Sequence, residues 1–259
     1  MEIIGYIASI LIGLSLGLIG GGGSILTVPL LVYLFGTSPT TATSYSLFIV
    51  GASSLIGAWR NHANGNVNLK TALLFGVTSI TTVLLTRRFI IPAIPENLFA
   101  IDGWTVTKSM FTMVLFALLM LMASVSMIKG RKEQKEAPGS TKMLPLILYG
   151  IGIGLVTGFL GAGGGFLLIP ALVFFVGLDM KTAIGTSLAI IAMNSLIGFV
   201  GDIGIVEIDW LFLLSITAIA VAGIFVGIAL GKKIDGAKLR KGFGWFVLAM
   251  GILILIKEL

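Results

Sequence analysis

The sequence predicts an all-α polytopic membrane protein made of two inverted repeats, each with a glycine-broken helix and a short half-helix, about eight to ten helical segments in all. Three observations carry that expectation: a large apolar excess, an internal repeat at constant offset, and an uneven distribution of basic residues among the loops. The chain of 259 residues is 57% hydrophobic and only 11% charged. Its mean hydropathy is +1.10, whereas soluble globular domains carry about 25% charged residues. A water-soluble fold is excluded on composition.

A helix needs about 20 mostly apolar residues to cross a bilayer. The apolar stretches run over residues 3–19, 25–35, 42–58, 69–86, 105–128, 143–160, 166–176, 182–200, 210–230 and 242–256. The second and seventh are too short to span. Glu2 rather than a basic flank precedes the first stretch, and no small-residue cleavage site follows it, so this stretch is expected to belong to the mature fold. With no cysteine, the chain offers no disulfide, thiolate metal site or thiol nucleophile.

Sliding the sequence against itself aligns residues 17–57 on 158–198 without gaps, with 18 identities in 41 positions. Gly20, Gly22 and Gly23 fall on Gly161, Gly163 and Gly164, Pro29 on Pro170, Gly36 on Gly177, and Ser46 and Ser54 on Ser187 and Ser195. Shared apolar composition matches leucine with leucine, but does not place glycines and a proline in register. Duplication of this kind builds transporter folds around a midplane site. The polar, turn-rich run 129–142 then reads as a cytoplasmic linker between a first repeat at 1–128 and a second at 143–259.

Charge orients the repeats. If they are inverted, the linker and the loops 60–70 and 232–241 share one face and hold twelve Lys and Arg residues, against four on the other, with Lys181 counted on neither. Parallel repeats divide the same loops eight against eight. Cytoplasmic loops carry the Lys/Arg excess, so inversion is preferred and both termini are expected outside.

Residues 1–36 carry no charge after Glu2, yet one helix of that length would be about 54 Å long against a hydrocarbon core of about 30 Å. The chain must break, and clustered glycines each cost about 1 kcal/mol in a helix. The breaking points are therefore Gly20, Gly21, Gly22, Gly23 and Ser24 in the first repeat, and Gly161, Ala162, Gly163, Gly164 and Gly165 in the second. Pro29 and Pro170 are expected near the first turn of the half-helices that follow. Unwound backbone at membrane depth survives only inside protein or along a wet cavity. Each break also opens a helix N-terminus, whose free N–H groups favour an anion.

Hydroxyls and amides follow each half-helix: Ser44, Ser46, Ser53 and Ser54, then Thr186, Ser187, Asn194 and Ser195. The substrate-binding set expected from the residues is thus the two glycine breaks with Ser46, Ser54, Ser187, Asn194 and Ser195. Interhelical hydrogen bonding, worth about 0.6 kcal/mol per contact, is the plainer account of any one of them. Arg60, His62 and Asp202 are placed at the mouths of 42–58 and 182–200 as interfacial or gating residues. Trp59, Trp104, Trp210 and Trp245 read as interfacial anchors. With a single histidine and no acid pair inside a span, no metal site, cofactor or enzymatic triad is expected, and no nucleic-acid motif is visible. The expected partners are a small anion and the lipid bilayer, with room for self-association into a homo-oligomer.

At the segments 20–29 and 161–170, followed by the Thr-Ala-x-x-x-Ser-Leu runs at 41–47 and 182–188, the chain resembles the sulfite exporter TauE/SafE family. The resemblance covers essentially the full length. It implies a multi-pass permease of the prokaryotic plasma membrane for sulfite, sulfonate, sulfoacetate or thiosulfate, with an anion channel or carboxylate permease as the alternative. An inside-negative potential drives a monovalent anion outward with about 2.3 kcal/mol per 100 mV, so export is the preferred direction.

Overall fold

The computed structural model describes residues 2–19, 24–101, 104–129, 143–161, 163–231 and 236–258. Within them the first unit holds α1 (Glu2–Ile19), α2 (Thr27–Phe35), α3 (Pro39–Ala63), α4 (Leu69–Leu85) and α5 (Lys108–Lys129). The second holds α6 (Met143–Leu160), α7 (Gly165–Val176), α8 (Met180–Asp202), α9 (Trp210–Gly231) and α10 (Gly236–Glu258). Among the described residues, five helical stretches are long and apolar enough to cross a membrane: α3, α4 with its extension to Ala93, α5, α8 and α9. The half-helices α2 and α7 have 9 and 12 residues, about 13 and 18 Å of helix, and cannot span.

The helix ends repeat as faithfully as the apolar pattern. Gly36 and Gly177 close α2 and α7 in the left-handed conformation (φ 70° and 73°), each N–H returning to the equivalent carbonyl, Leu31 or Leu172. Ser38 and Asp179 then cap α3 and α8, accepting from Thr41 N and from Lys181 and Thr182 N. Asn68 and Asp209 cap α4 and α9 through Thr71 N and Phe212 N, both at 3.0 Å. Capping side chains satisfy N–H groups that the helix itself leaves orphaned, which matters most where water is scarce.

Glycine contacts fix how the units meet. A Cβ on Gly57 would lie 3.1 Å from Leu188 Cδ1, and one on Gly198 would lie 3.2 Å from Leu47 Cδ1. These two contacts exchange under the offset of 141, so α3 and α8 cross antiparallel about a pseudo-two-fold axis near Ala52 and Met193. An axis perpendicular to the helices inverts one unit relative to the other. The outer pairs are exchanged likewise: α1 packs on α9, where a Cβ on Gly13 would overlap the Ala220 carbonyl, and α6 packs on α4, where one on Gly154 would lie 2.7 Å from the equivalent Ser79 carbonyl. The duplication thus reaches well past residues 17–57, carried by small residues that let backbones approach.

The interior is unusually rich in hydroxyls, with Ser44, Ser46, Ser53, Ser54, Ser187 and Ser195 fully buried, while Leu211, Ile256 and Trp59 are 84%, 72% and 73% exposed on the outside. Trp210 and Trp245 are exposed.

Several expectations are corrected. The loop expected from Arg87 to Lys108 is absent as such. The helix of α4 continues through a π turn (Thr86–Ile90) and a last turn (Ile91–Ala93), and an antiparallel hairpin, β1 (Asn97–Ile101) with β2 (Trp104–Thr107), fills the rest. The apolar run Phe89 to Ile91 beyond the two arginines keeps the helix going. The final helix starts at Gly236 rather than 242, because Lys238, Arg240 and Lys241 are good helix formers despite their charge. Pro29 lies in the first turn of α2, but Pro170 is the sixth residue of α7. The linker at 130–142 lies outside the described residues.

Candidate functional site

The second break has a definite backbone. Gly161, Gly163 and Gly164 adopt φ of 64°, 65° and 64°, a left-handed conformation that costs an L-residue roughly 1–2 kcal/mol. Space adds a second constraint: a Cβ on Gly161 would overlap the Thr43 carbonyl, and one on Gly163 would lie 2.9 Å from Ile191 Cγ2, 3.0 Å from Val50 Cγ1 and 3.3 Å from Ser195 Oγ. Val50 and Ile191 are themselves repeat-related, so Gly163 sits close to the pseudo-two-fold axis. Gly165 opens α7. In the first unit α1 is described as far as Ile19, and a tight turn from Ser24, which is fully buried, leads into α2. Gly20 to Gly23 lie outside the described residues.

Buried polar groups cluster where α3 and α8 cross. The hydroxyls of Ser53, Ser54 and Ser195 and the Asn194 amide nitrogen are buried without a hydrogen-bond partner. Ser53 is repeat-related to Asn194, and Ser54 to Ser195. All four lie within one turn of the crossing, where a Cβ on Gly51 would be 3.0 Å from Leu196 N. Asn194 Oδ1 accepts from Ser79 Oγ at 2.9 Å. An unpaired buried donor costs roughly 1–3 kcal/mol, so a set of neutral donors beside a broken helix suits a desolvated oxyanion. Thr157, next to Gly164, and Thr27, in the first turn of α2, add further buried and unpaired hydroxyls.

Other expected site residues hold the frame instead. Ser46 Oγ donates to the Gly161 carbonyl at 2.8 Å and so ties the first unit to the second break. Ser187 Oγ donates within its own helix to Ile184 O. Thr186 Oγ1 accepts from Asn68 N at 2.9 Å, and the repeat-related Tyr45 hydroxyl accepts from Asp209 N at 2.7 Å.

The mouth residues divide. Arg60 is half-buried with its guanidinium 5.7 Å above the Phe225 ring, and His62 is exposed. Asp202 is not at an open mouth: it is 3% exposed and its Oδ2 lies 2.9 Å from Nη1 of Arg87, itself 1% exposed. Sequence reasoning placed Arg87 in a loop and so missed this ion pair. The available signal was the apolar run on its far side. Among the described residues, no group of three or more His, Asp or Glu side chains could hold a metal ion.

A family model described as "Sulfite exporter TauE/SafE" matches residues 6–254. A "Probable membrane transporter protein" of Xylella fastidiosa is 29% identical over 252 residues, covering 95% of this chain and 91% of that protein. "Probable membrane transporter protein MJ0441" of Methanocaldococcus jannaschii is 26% identical over 270 residues, covering 96% and 94%. "Probable membrane transporter protein YunE" of Bacillus subtilis is 28% identical over 251 residues, covering 89% and 90%. No solved structure matches the chain.

Proposed function

Because the chain belongs to the sulfite exporter TauE/SafE family, a family of multi-pass membrane transporters, we propose that it exports small sulfur-containing anions of the sulfite, sulfonate, sulfoacetate or thiosulfate type across a prokaryotic plasma membrane. The observation that carries the reading is the second break: three left-handed glycines, of which Gly163 lies against the buried, unpaired hydroxyl of Ser195 at the crossing of α3 and α8. There the anion is held by amide hydrogens at the start of α7 and by the neutral donors of Ser53, Ser54, Asn194 and Ser195. The sequence repeats the glycine run at Gly20 to Gly23 ahead of α2, and we pair that half-helix with α7 around the same anion. Neutral donors bind a compact oxyanion without a fixed positive charge, which lets it leave again. The potential supplies about 2.3 kcal/mol per 100 mV for outward movement of a monovalent anion. Both termini and the Asp202 end of α8 face outward, and the 129–142 linker and Arg60 face the cytoplasm.

The test is flux in proteoliposomes at controlled voltage with labelled sulfite, thiosulfate, sulfoacetate and taurine, beside Gly22→Leu and Gly163→Leu. Voltage-dependent movement of at least one sulfur anion, lost in both variants, is expected. Equal flux in wild type and both variants overturns the midplane site, and currents far above carrier turnover convert the reading to a channel. A reporter fused after Leu259 that proves cytoplasmic overturns the orientation.

A further inference from the structure

Arg87 is the largest fully buried side chain of the described residues. It projects from the π turn of α4, a helix irregularity that recurs at functional sites. Nη1 is committed, donating to Asp202 Oδ2 at 2.9 Å and to Thr43 Oγ1 at 3.3 Å. Nε and Nη2 have no hydrogen-bond partner. A guanidinium carries five donors in a rigid fork, and a buried ion pair repays its desolvation only when the remaining protons are satisfied as well. Asp202 engages a single nitrogen, leaving unpaired the Nε–Nη2 edge, one of the edges by which arginine grips carboxylates and phosphates bidentately.

Thr43 links this guanidinium to the break and to the surface. Its carbonyl abuts Gly161. Thr43 also lines a shallow surface cleft together with Thr40, Lys108 and Thr112. Lys108 is 9% exposed. Its Nζ donates to the Ile91 carbonyl at 2.7 Å, with no carboxylate in salt-bridge range among the described residues. The positions related to Arg87 and Asp202 by the repeat are Ile228 and Asn61, so this cationic step exists on one half only.

We infer that Arg87 is a substrate-contacting residue: its Nε–Nη2 edge takes the transported oxyanion between the second glycine break and the Thr40–Lys108 cleft, while Asp202 holds the guanidinium when the anion is elsewhere. The inference rests on the anion-transport reading and adds a charged contact to a site otherwise made of neutral donors.

Full-length protein in proteoliposomes provides the flux measurement. Sulfite-induced thermal stabilisation in detergent provides a binding measurement on the same preparations. Asp202→Asn removes the competing carboxylate, and both KM and maximal flux are expected to fall by roughly threefold or more. Arg87→Gln together with Asp202→Asn replaces the pair by neutral groups and is expected to fold with wild-type stability. Its flux should fall about tenfold or more and its sulfite-induced shift should vanish. Arg87→Lys keeps the charge without the fork, and its KM is expected to rise about tenfold. Near-wild-type flux in the neutral double variant, or an unchanged KM in Arg87→Lys, makes the pair purely structural and overturns the inference. Misfolding of the double variant leaves the Lys variant to decide. A wild-type protein that moves none of the sulfur anions fails at the earlier step, since the transport reading then falls regardless of the variant ratios.

Discussion

At the end of α3, Arg60 lies over Phe225 and the Asn61 amide folds back onto the Gly57 carbonyl at 2.8 Å. At the repeat-related end of α8, glycine stands at 201, aspartate at 202 and leucine at 84, where a Cβ on Gly201 would meet Leu84 at 3.4 Å and Arg87 at 3.2 Å. Equivalent contacts between equivalent helices are therefore made by different chemistry. At one end a ring meets a partly exposed cation, and at the other an ion pair is buried. Two-fold packing gives both faces one frame, and a handful of side chains makes the faces unequal. A cation–π contact at an exposed site contributes about 0.5–1 kcal/mol, whereas leaving one buried charge without its partner costs about 3–5 kcal/mol. In the described conformation the α8 end is the more firmly fixed of the two.

The largest test of this contrast is charge removal. Arg87→Ala or Asp202→Ala is expected to destabilise the protein by about 3–5 kcal/mol, and Asn61→Ala by no more than about 1 kcal/mol, read as thermal unfolding in detergent. Equal shifts at 202 and 61 erase the distinction. Next come the glycines. Gly177→Ala meets nothing within 4 Å and bears only its positive φ, a cost of about 1 kcal/mol. Gly161→Ala adds overlap with the Thr43 backbone and is expected to cost about 2–4 kcal/mol and most of the flux.

The shared frame is tested by Asn68→Ala and Asp209→Ala, each expected to cost about 1 kcal/mol by loss of its cap. A large inequality between them would show that the frame is not shared. The smallest contrast lies between Ser46→Ala, which severs a bond between the units and should cost about 0.6 kcal/mol, and Ser187→Ala, which cuts a bond inside one helix and should cost less. The four variants are ranked by the same unfolding measurement.

Glycine runs announce breaks because a helix longer than the bilayer must stop somewhere, and few residues stop it so cheaply. That made Gly161 to Gly165 legible before any geometry. Ser54, Asn194 and Ser195 were legible as polar residues in apolar helices, but their lack of partners depends on what surrounds them. Ser46 and Ser187 look identical in sequence and differ in role, since one faces across the unit boundary and the other its own backbone. Arg87 was misread because charge pairs read as loop ends when their partner lies 115 positions away.

Composition, periodicity and the offset of 141 settled the membrane class, the duplication and the location of the second break, because each follows from transfer free energy or backbone strain within a few neighbouring residues. The exchange of outer helices between units, the unequal mouths and the burial of Arg87 against Asp202 were decided by the tertiary structure alone. They depend on which side chains from distant segments are brought within hydrogen-bonding reach, and no local rule encodes that distance.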